Sequence, residues 1–212
     1  MRIQKSGSTY SCGGSLIAPD VILTAAHCND PYSDSNSEFG YVGATNFWST
    51  ANGAVLGTCE EWINHPDFVP GQFDTSGNIV PGTTVLGGND FALCKLAEPV
   101  TIDKSEVYLE INMNPNLPDP VQEYVTESMG MGRTSGDRRE STNVLLYAEL
   151  PFLEAYQCNN IVGNIDETMV CTYDPTTHRA NYTGSKRDEP RSCQAHPDWR
   201  CVLGGWQLRE LP

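Results

Sequence analysis

Short runs of apolar residues alternate with turns rich in glycine, proline and aspartate along this chain of 212 residues. Two of these runs, Ser15–Ala18 and Val21–Ala26, flank the dipeptide Pro19-Asp20. Proline fixes its own φ and aspartate hydrogen-bonds the amides that follow, so such a pair between β-rich runs indicates a turn. The pattern predicts a β-hairpin that holds His27 at the end of a rigid strand.

Cys12 and Cys28 bracket this hairpin. A bond between them would close a loop of about 15 residues, for which loop-closure entropy gives roughly 3 kcal/mol of stability. The two glycines after Cys12 allow close backbone approach, and the two alanines before His27 leave the imidazole without bulky neighbours. We therefore expect His27 to be fixed in position.

Similar strand-like runs recur from Phe39 to Asn64, and again at Val121–Ser128 and Val144–Pro151. The segment Pro70–Gly88 contains Gly, Thr, Asp and Pro with little periodicity, which is typical of a long loop. Many short strands separated by turn residues are typical of small antiparallel barrels. The predicted fold class is therefore all-β.

Composition narrows the classes of partner. The formal net charge of −14 argues against nucleic acid, because phosphate binding needs clustered Lys and Arg. No apolar run approaches the length of a membrane span, so we expect no membrane partner. Met1–Ser11 holds no apolar signal-peptide core, so a secretory signal would be missing from this chain or already removed.

The cysteines indicate the redox compartment. There are eight of them, with no paired CxxC pattern, which favours disulfides and hence secretion. The segment Asn29–Glu38 is rich in Asp, Ser and Asn, but its spacing matches no calcium-binding loop, and a solvated loop is the favoured interpretation. We expect neither a metal nor a cofactor.

Two motifs in the hairpin, CGGSLI from Cys12 and LTAAHC ending at Cys28, closely resemble the histidine loop of chymotrypsin- and trypsin-like serine proteases. The resemblance implies a trypsin-like double antiparallel β-barrel, a Cys12–Cys28 disulfide and His27 as the general base. An isolated histidine beside an apolar run is usually a satisfied core residue. The matched context favours the catalytic role instead.

A second motif, Asn89–Leu96, reads NDFALCKL and resembles the family's Asn-Asp-Ile-Ala-Leu-Leu-Lys-Leu. In the family this aspartate orients the catalytic histidine and stabilises its imidazolium, so the resemblance implies that role for Asp90. An aspartate before a strand is otherwise usually a turn residue. His65-Pro66 resembles a turn of the family, which implies a structural role for His65.

The resemblance to the protease family also predicts how some of the other cysteines pair. Glu154–Cys158 resembles the family's short helix, whose cysteine pairs with one on the following strand, and this implies a Cys158–Cys171 bond. Cys59 and Cys94 lie on segments that would be neighbouring strands, so a cross-strand bond and two buried thiols both stay open. The pairing of Cys193 and Cys201 is not predicted.

The resemblance fails in the tail, where Arg191–Trp199 reads RSCQAHPDW and the family reads Asp-Ser-Cys-Gln-Gly-Asp-Ser-Gly-Gly-Pro. Aligned on Cys193, the match stops after Gln194, and Pro197 takes the position of the nucleophilic serine. Proline has neither a hydroxyl to attack a carbonyl nor an amide N–H to stabilise an oxyanion. His196 replaces the aspartate that would pair with a new amino terminus.

The ends of the chain also differ from the family pattern. Met1–Lys5 falls well inside the first barrel of that pattern, which implies an N-terminally truncated chain, and Pro212 precedes the strands that would wall the substrate pocket. The resemblance implies one trypsin-like domain over residues 1–212. Its expected parts are a first barrel at 1–105, a linker at 106–120 and a partial second barrel at 121–212.

Three interpretations of function follow. The chain could be an active trypsin-like endopeptidase, as the histidine and aspartate motifs suggest and Pro197 contradicts. It could be a secreted pseudo-protease that binds protein or peptide ligands. It could also be a mis-spliced or frameshifted form of an active protease, because the match ends abruptly after Gln194. Family membership with an inactive chain is the favoured hypothesis, and serine endopeptidase activity stays uncertain.

Overall fold

A computed structural model of the chain describes residues 2–5, 11–29, 38–46, 54–68, 89–101, 111, 113, 125–133, 141–162, 171–174, 179–180 and 206–209. Within these residues there are twelve β-strands, one α-helix and one short 3-10 helix, so the predicted all-β class is confirmed. The chain divides into two compact units. The first comprises Met1–His65, Phe91–Ile111 and Met129–Tyr147, and the second Pro66–Asp90, Asn112–Ser128 and Ala148–Pro212.

The larger sheet has seven strands in the order β2-β1-β5-β6-β7-β4-β3. Every neighbouring pair in it is antiparallel. Its strands are β1 (Arg2–Lys5), β2 (Ser11–Gly13), β3 (Ser15–Ala18), β4 (Val21–Thr24), β5 (Glu38–Val42), β6 (Val55–Asn64) and β7 (Ala92–Leu96). The predicted hairpin is β3–β4, with Pro19-Asp20 as its turn.

The two edge strands of this sheet, β2 and β3, are neighbours along the chain and are separated only by Gly14. Because consecutive Cα atoms are only about 3.8 Å apart, the two edges must lie close together and the sheet must curl. Thr24 Oγ1 donates a hydrogen bond of 2.8 Å to the Gly13 carbonyl, which ties β4 to β2. The sheet therefore has the barrel-like curvature expected of the first barrel.

Gly14 allows this closure. A Cβ added there would lie 2.8 Å from Ile22 Cγ2 and 3.2 Å from the Leu23 carbonyl oxygen, whereas one added at Gly13 would meet nothing within 4 Å. The expectation of close backbone approach at both glycines is thus correct for Gly14 and wrong for Gly13. At Gly13 the position that a Cβ would occupy is open space, although the backbone itself is paired with β1.

This difference gives a matched pair of substitutions. Gly14→Ala should destabilise the protein by about 1–3 kcal/mol, because the added methyl group overpacks a site walled by backbone and a buried isoleucine. Gly13→Ala should be neutral or stabilising by up to about 1 kcal/mol, since the unfolded chain loses freedom without a clash. Denaturant unfolding of both variants measures the two free energies. Equal losses for the two variants would contradict the packing argument.

A hydrophobic core lies within the curled sheet. Along β7, residues 92, 94 and 96 are buried and Lys95 is exposed, which is the period-two pattern of a strand with one face inward. Ile22 on β4 and Cys94 on β7 are completely buried. The buried cluster consists of Leu16, Ile22, Val42, Cys59, Cys94, Leu96 and Val100, with Val55 and Trp62 packed against it.

The second sheet has five strands in the order β11-β10-β9-β8-β12. Its strands are β8 (Val125–Arg133), β9 (Ser141–Leu153), β10 (Cys171–Asp174), β11 (Arg179–Ala180) and β12 (Trp206–Arg209). The helix α1 (Ala155–Val162) follows β9, where a short helix was expected. Leu150 on β9 and Cys158 on α1 are buried.

Several predictions fall outside the described residues: most of the Asn29–Glu38 loop, the Pro70–Gly88 loop, and the 106–120 linker apart from Ile111 and Met113. The division into barrels at 1–105 and 121–212 stays a prediction. Among the described residues, no helix combines the length and hydropathy that crossing a membrane requires.

Candidate active site

His27 lies on the 3-10 helix Ala26–Cys28, three residues after β4 ends at Thr24. The expectation that the strand itself ends in the histidine was therefore wrong. Ala25 is still extended, and the turn is closed by hydrogen bonds from the Cys28 amide to the Ala25 carbonyl (3.1 Å) and from the Asn29 amide to the Ala26 carbonyl (3.0 Å). The backbone turns within these few residues, and the His27 side chain is exposed.

The burial of this turn alternates residue by residue. Ala26 and Cys28 are buried, at 0% and 4% exposure, while His27 between them is exposed. Cys28 is joined to Cys12 by a disulfide, with 6.1 Å between the two Cα atoms, and this is the pairing that the resemblance implies. The turn is thus anchored from both sides of the histidine, and His27 Nε2 lies 3.7 Å from Cys28 Sγ.

A polar contact fixes the chain just after the turn. Asn29 Nδ2 donates a hydrogen bond of 3.0 Å to Asn64 Oδ1 at the end of β6. The Asn64 side chain therefore links the histidine turn to a different strand of the curled sheet. Sequence analysis missed this pair, because nothing local connects two asparagines that are 35 residues apart.

Asp90 is buried, at 5% exposure, and lies two residues before β7. The preceding Asn89 has φ of 56°, in the left-handed region that asparagine tolerates better than most residues. Asn89 Nδ2 also donates to the Asp67 carbonyl at 3.5 Å. The left-handed conformation of Asn89 therefore sets the direction in which the chain enters Asp90. In the sequence, the Asn-Asp dipeptide is the local feature that indicates this conformation.

His65 lies in the turn after β6, where its backbone amide donates a hydrogen bond of 2.8 Å to the Phe91 carbonyl. This bond ties the turn to the segment that enters β7. It is a backbone contact, so it agrees with a structural role for His65.

The strands that carry this part of the chain pair directly. β4 and β7 are antiparallel, and Thr24, the last residue of β4, lies opposite Ala92, the first residue of β7. The carboxyl end of β4 and the amino end of β7 therefore lie side by side, at the same end of this strand pair. β7 also packs against the 3-10 helix that carries His27.

Two further disulfides are present among the described cysteines. Cys59 on β6 is bonded to Cys94 on β7, so the choice between a cross-strand bond and two thiols is settled in favour of the bond. Cys158 on α1 is bonded to Cys171 on β10, as the resemblance implies.

The sequence model of the trypsin family matches residues 1–185 of this chain. The chain belongs to the trypsin family. The predicted resemblance to chymotrypsin- and trypsin-like serine proteases and the all-β trypsin-like fold are therefore both confirmed.

Curated relatives support this assignment. "Trypsin" from Simulium vittatum is 28% identical over 199 residues, covering 91% of this chain and 66% of its own length. "Kallikrein-11" from Homo sapiens is 30% identical over 166 residues, covering 76% of this chain and 50% of its own length. "CLIP domain-containing serine protease B15" from Anopheles gambiae is 28% identical over 214 residues, covering 97% and 54%. The chain thus spans about half to two thirds of the length of these trypsin-family relatives.

The remaining site predictions for this trypsin-family chain fall in the tail. Arg191–Trp199, with Cys193, Gln194, His196 and Pro197, lies outside the described residues, as does Cys201. The family match also ends at residue 185, before this segment. The roles of His27, Asp90 and Pro197 stay predictions.

Proposed function

We propose that this chain, with the sequence given, is a secreted, trypsin-like member of the family that does not hydrolyse peptide bonds. It keeps the residues expected for the histidine and the aspartate of a catalytic triad and lacks the serine. The observation that carries the proposal is Pro197 at the nucleophile's position when the tail is aligned on Ser192-Cys193-Gln194.

His27 is the proposed general base. A base must be fixed and must be accessible to substrate, and His27 is exposed on a turn whose neighbours Ala26 and Cys28 are buried. The Cys12–Cys28 disulfide supports the same assignment by holding that turn in place.

Asp90 is the proposed partner of His27. Thr24 and Ala92 are paired across β4 and β7, His27 follows Thr24 by three residues, and Asp90 precedes Ala92 by two. An aspartate at 5% exposure is costly to bury unless another group compensates its charge. In the family, the Nδ1–H of the catalytic histidine is one such group.

The missing step follows from these roles. In a complete member of the family, a serine hydroxyl attacks the peptide carbonyl, the histidine takes the hydroxyl proton and returns it to the leaving amine, and the aspartate stabilises the imidazolium. Proline at position 197 supplies no proton and no attacking oxygen, and it supplies no amide N–H to the oxyanion. His27 then has no nucleophile to activate.

Secretion and a protein or peptide partner complete the proposal. The three disulfides support an oxidising compartment, since such bonds persist where thiols are not kept reduced. Trypsin-like proteases act on proteins or peptides, so we assign the same class of partner to this chain. A chain that retained such binding without cleavage would act as a protein-binding module.

Labelling with a fluorophosphonate tests the proposal. We expect the chain to show no labelling and no hydrolysis of casein or of peptide amides, under conditions in which trypsin is fully labelled. His27→Ala should leave this result unchanged, because no serine depends on the histidine. Stoichiometric labelling that is lost in His27→Ala would overturn the proposal, since another serine would then act as the nucleophile.

A frameshifted form of an active protease is the second candidate, and the abrupt end of the match after Gln194 is the observation that favours it. Sequencing the transcript across the codons for Gln194–Pro212 decides between the two. Finding Gly-Asp-Ser-Gly-Gly after Gln194 would establish the second candidate, and finding the present tail would support the pseudo-protease.

A further inference from the structure

Three side chains with metal-binding atoms meet where the edge strand β2 approaches the histidine turn. The sulfur atoms of Cys12 and Cys28 and a ring nitrogen of His27 all lie within 4.8 Å of one another. The two sulfurs are bonded to each other, so neither is a thiolate in this state. We propose that reduction of the Cys12–Cys28 disulfide converts this group into a zinc site with Cys12, Cys28 and His27 as ligands.

The distances are close to those that zinc needs. Zinc forms bonds of about 2.3 Å to sulfur and about 2.0–2.1 Å to histidine nitrogen, and tetrahedral geometry then places a sulfur and a nitrogen about 3.6 Å apart. Cys28 Sγ and His27 Nε2 are already 3.7 Å apart. The two sulfurs would need a separation of about 3.8 Å, which rotation of the two side chains can provide once the bond is broken.

Accessibility favours this disulfide over the one in the core. Cys12 is partly exposed on an edge strand and His27 is exposed, while Cys28 is buried, so a thiol reductant and then a metal ion can reach the group from the side of Cys12 and His27. Cys59 and Cys94 are both buried, at 8% and 0% exposure. The exposed side of His27 also leaves room for a water molecule as the fourth ligand, the arrangement of an open Cys2His zinc site.

The conversion balances with a thiol as reductant. Two molecules of a thiol RSH give their hydrogens to the protein sulfurs and leave as RSSR. Zinc then displaces the two thiol protons into solvent and binds the lone pair of neutral His27 Nε2. The metal occupies the atom that a general base would use, although the site itself does not depend on the proposed function.

The test is a titration of the full chain with Co²⁺, which replaces zinc and reports thiolate ligands by a charge-transfer absorption. The protein is first treated with a mild thiol reductant, and peptide mapping verifies that Cys12–Cys28 is open and Cys59–Cys94 is intact. We expect about one Co²⁺ per chain with thiolate absorption after reduction, displaced by Zn²⁺, and no such absorption in the oxidised protein.

Two variants locate the site. His27→Ala, an exposed position that should fold normally, should weaken metal binding about tenfold or more, because one of three protein ligands is lost. Cys158→Ser/Cys171→Ser removes a different disulfide and should leave binding unchanged. Absence of thiolate absorption in the reduced protein would overturn the proposal, and so would a Co²⁺ affinity that His27→Ala does not change.

Discussion

Ile22→Ala is expected to lower the free energy of unfolding by about 2–5 kcal/mol, the range for a truncated and fully buried isoleucine. Ile22 is completely buried on β4. It lies opposite Leu16 on β3 and Cys94 on β7, so three strands meet at this side chain. The alanine variant leaves a cavity that the surrounding backbone pairing prevents from collapsing.

Ile63→Ala is the matched control. Ile63 lies on β6 of the same sheet and is 48% exposed. The same chemical change there should cost less than about 1 kcal/mol, because most of the removed surface already faces water. Denaturant unfolding of both variants measures the two losses in the free energy of unfolding, provided that the m-values equal that of the wild-type protein. A loss at Ile63 as large as that at Ile22 would contradict the assigned core.

The hairpin was predictable because its signals are local. Pro19-Asp20 specifies the turn, and the apolar residues on either side of it form the paired strands β3 and β4. The 3-10 turn at His27 was not predictable, since three residues are too few to show a period. Local pattern therefore located the histidine in the chain but gave the wrong backbone conformation for it.

β6 shows a second limit of sequence pattern. The sequence pattern predicts short strands separated by glycine-containing turns, yet Val55–Asn64 is one strand that passes through Gly57. A Cβ at Gly57 would lie 3.0 Å from Leu96 Cδ2, so this glycine makes room for a core side chain of β7. A glycine required for packing and a glycine in a turn look the same in a sequence.

Contacts between residues far apart in the sequence could not be predicted, because they depend on the register in which the strands pair. The octapeptide Asn89–Leu96 identifies Asp90, whereas the pairing of Thr24 with Ala92, which supports the proposed role of Asp90, is seen only in the folded β4–β7 pair. For the same reason, the sequence does not decide between a Cys59–Cys94 bond and two free thiols. A bulge between Cys59 and Glu61 shifts the β6–β7 register, and no local pattern showed it.

Cys59→Ala/Cys94→Ala is expected to destabilise the protein by about 4 kcal/mol, because the bond closes a loop with a sequence separation of 35. It also joins the neighbouring strands β6 and β7 of the sheet that carries the core. Without it the unfolded chain gains freedom, and the variant should unfold at clearly lower denaturant concentration.

Cys158→Ala/Cys171→Ala provides the comparison, since its bond has a sequence separation of 13 and the same loop-closure argument gives about 3 kcal/mol. The wild-type protein, reduced until mapping shows Cys59–Cys94 open, has also lost the more accessible Cys12–Cys28 bond, so it should lose at least as much stability as the Cys59/Cys94 variant. A loss below about 1 kcal/mol in the Cys59/Cys94 variant would mean that β6 and β7 are held by strand pairing and core packing, with little contribution from the covalent link.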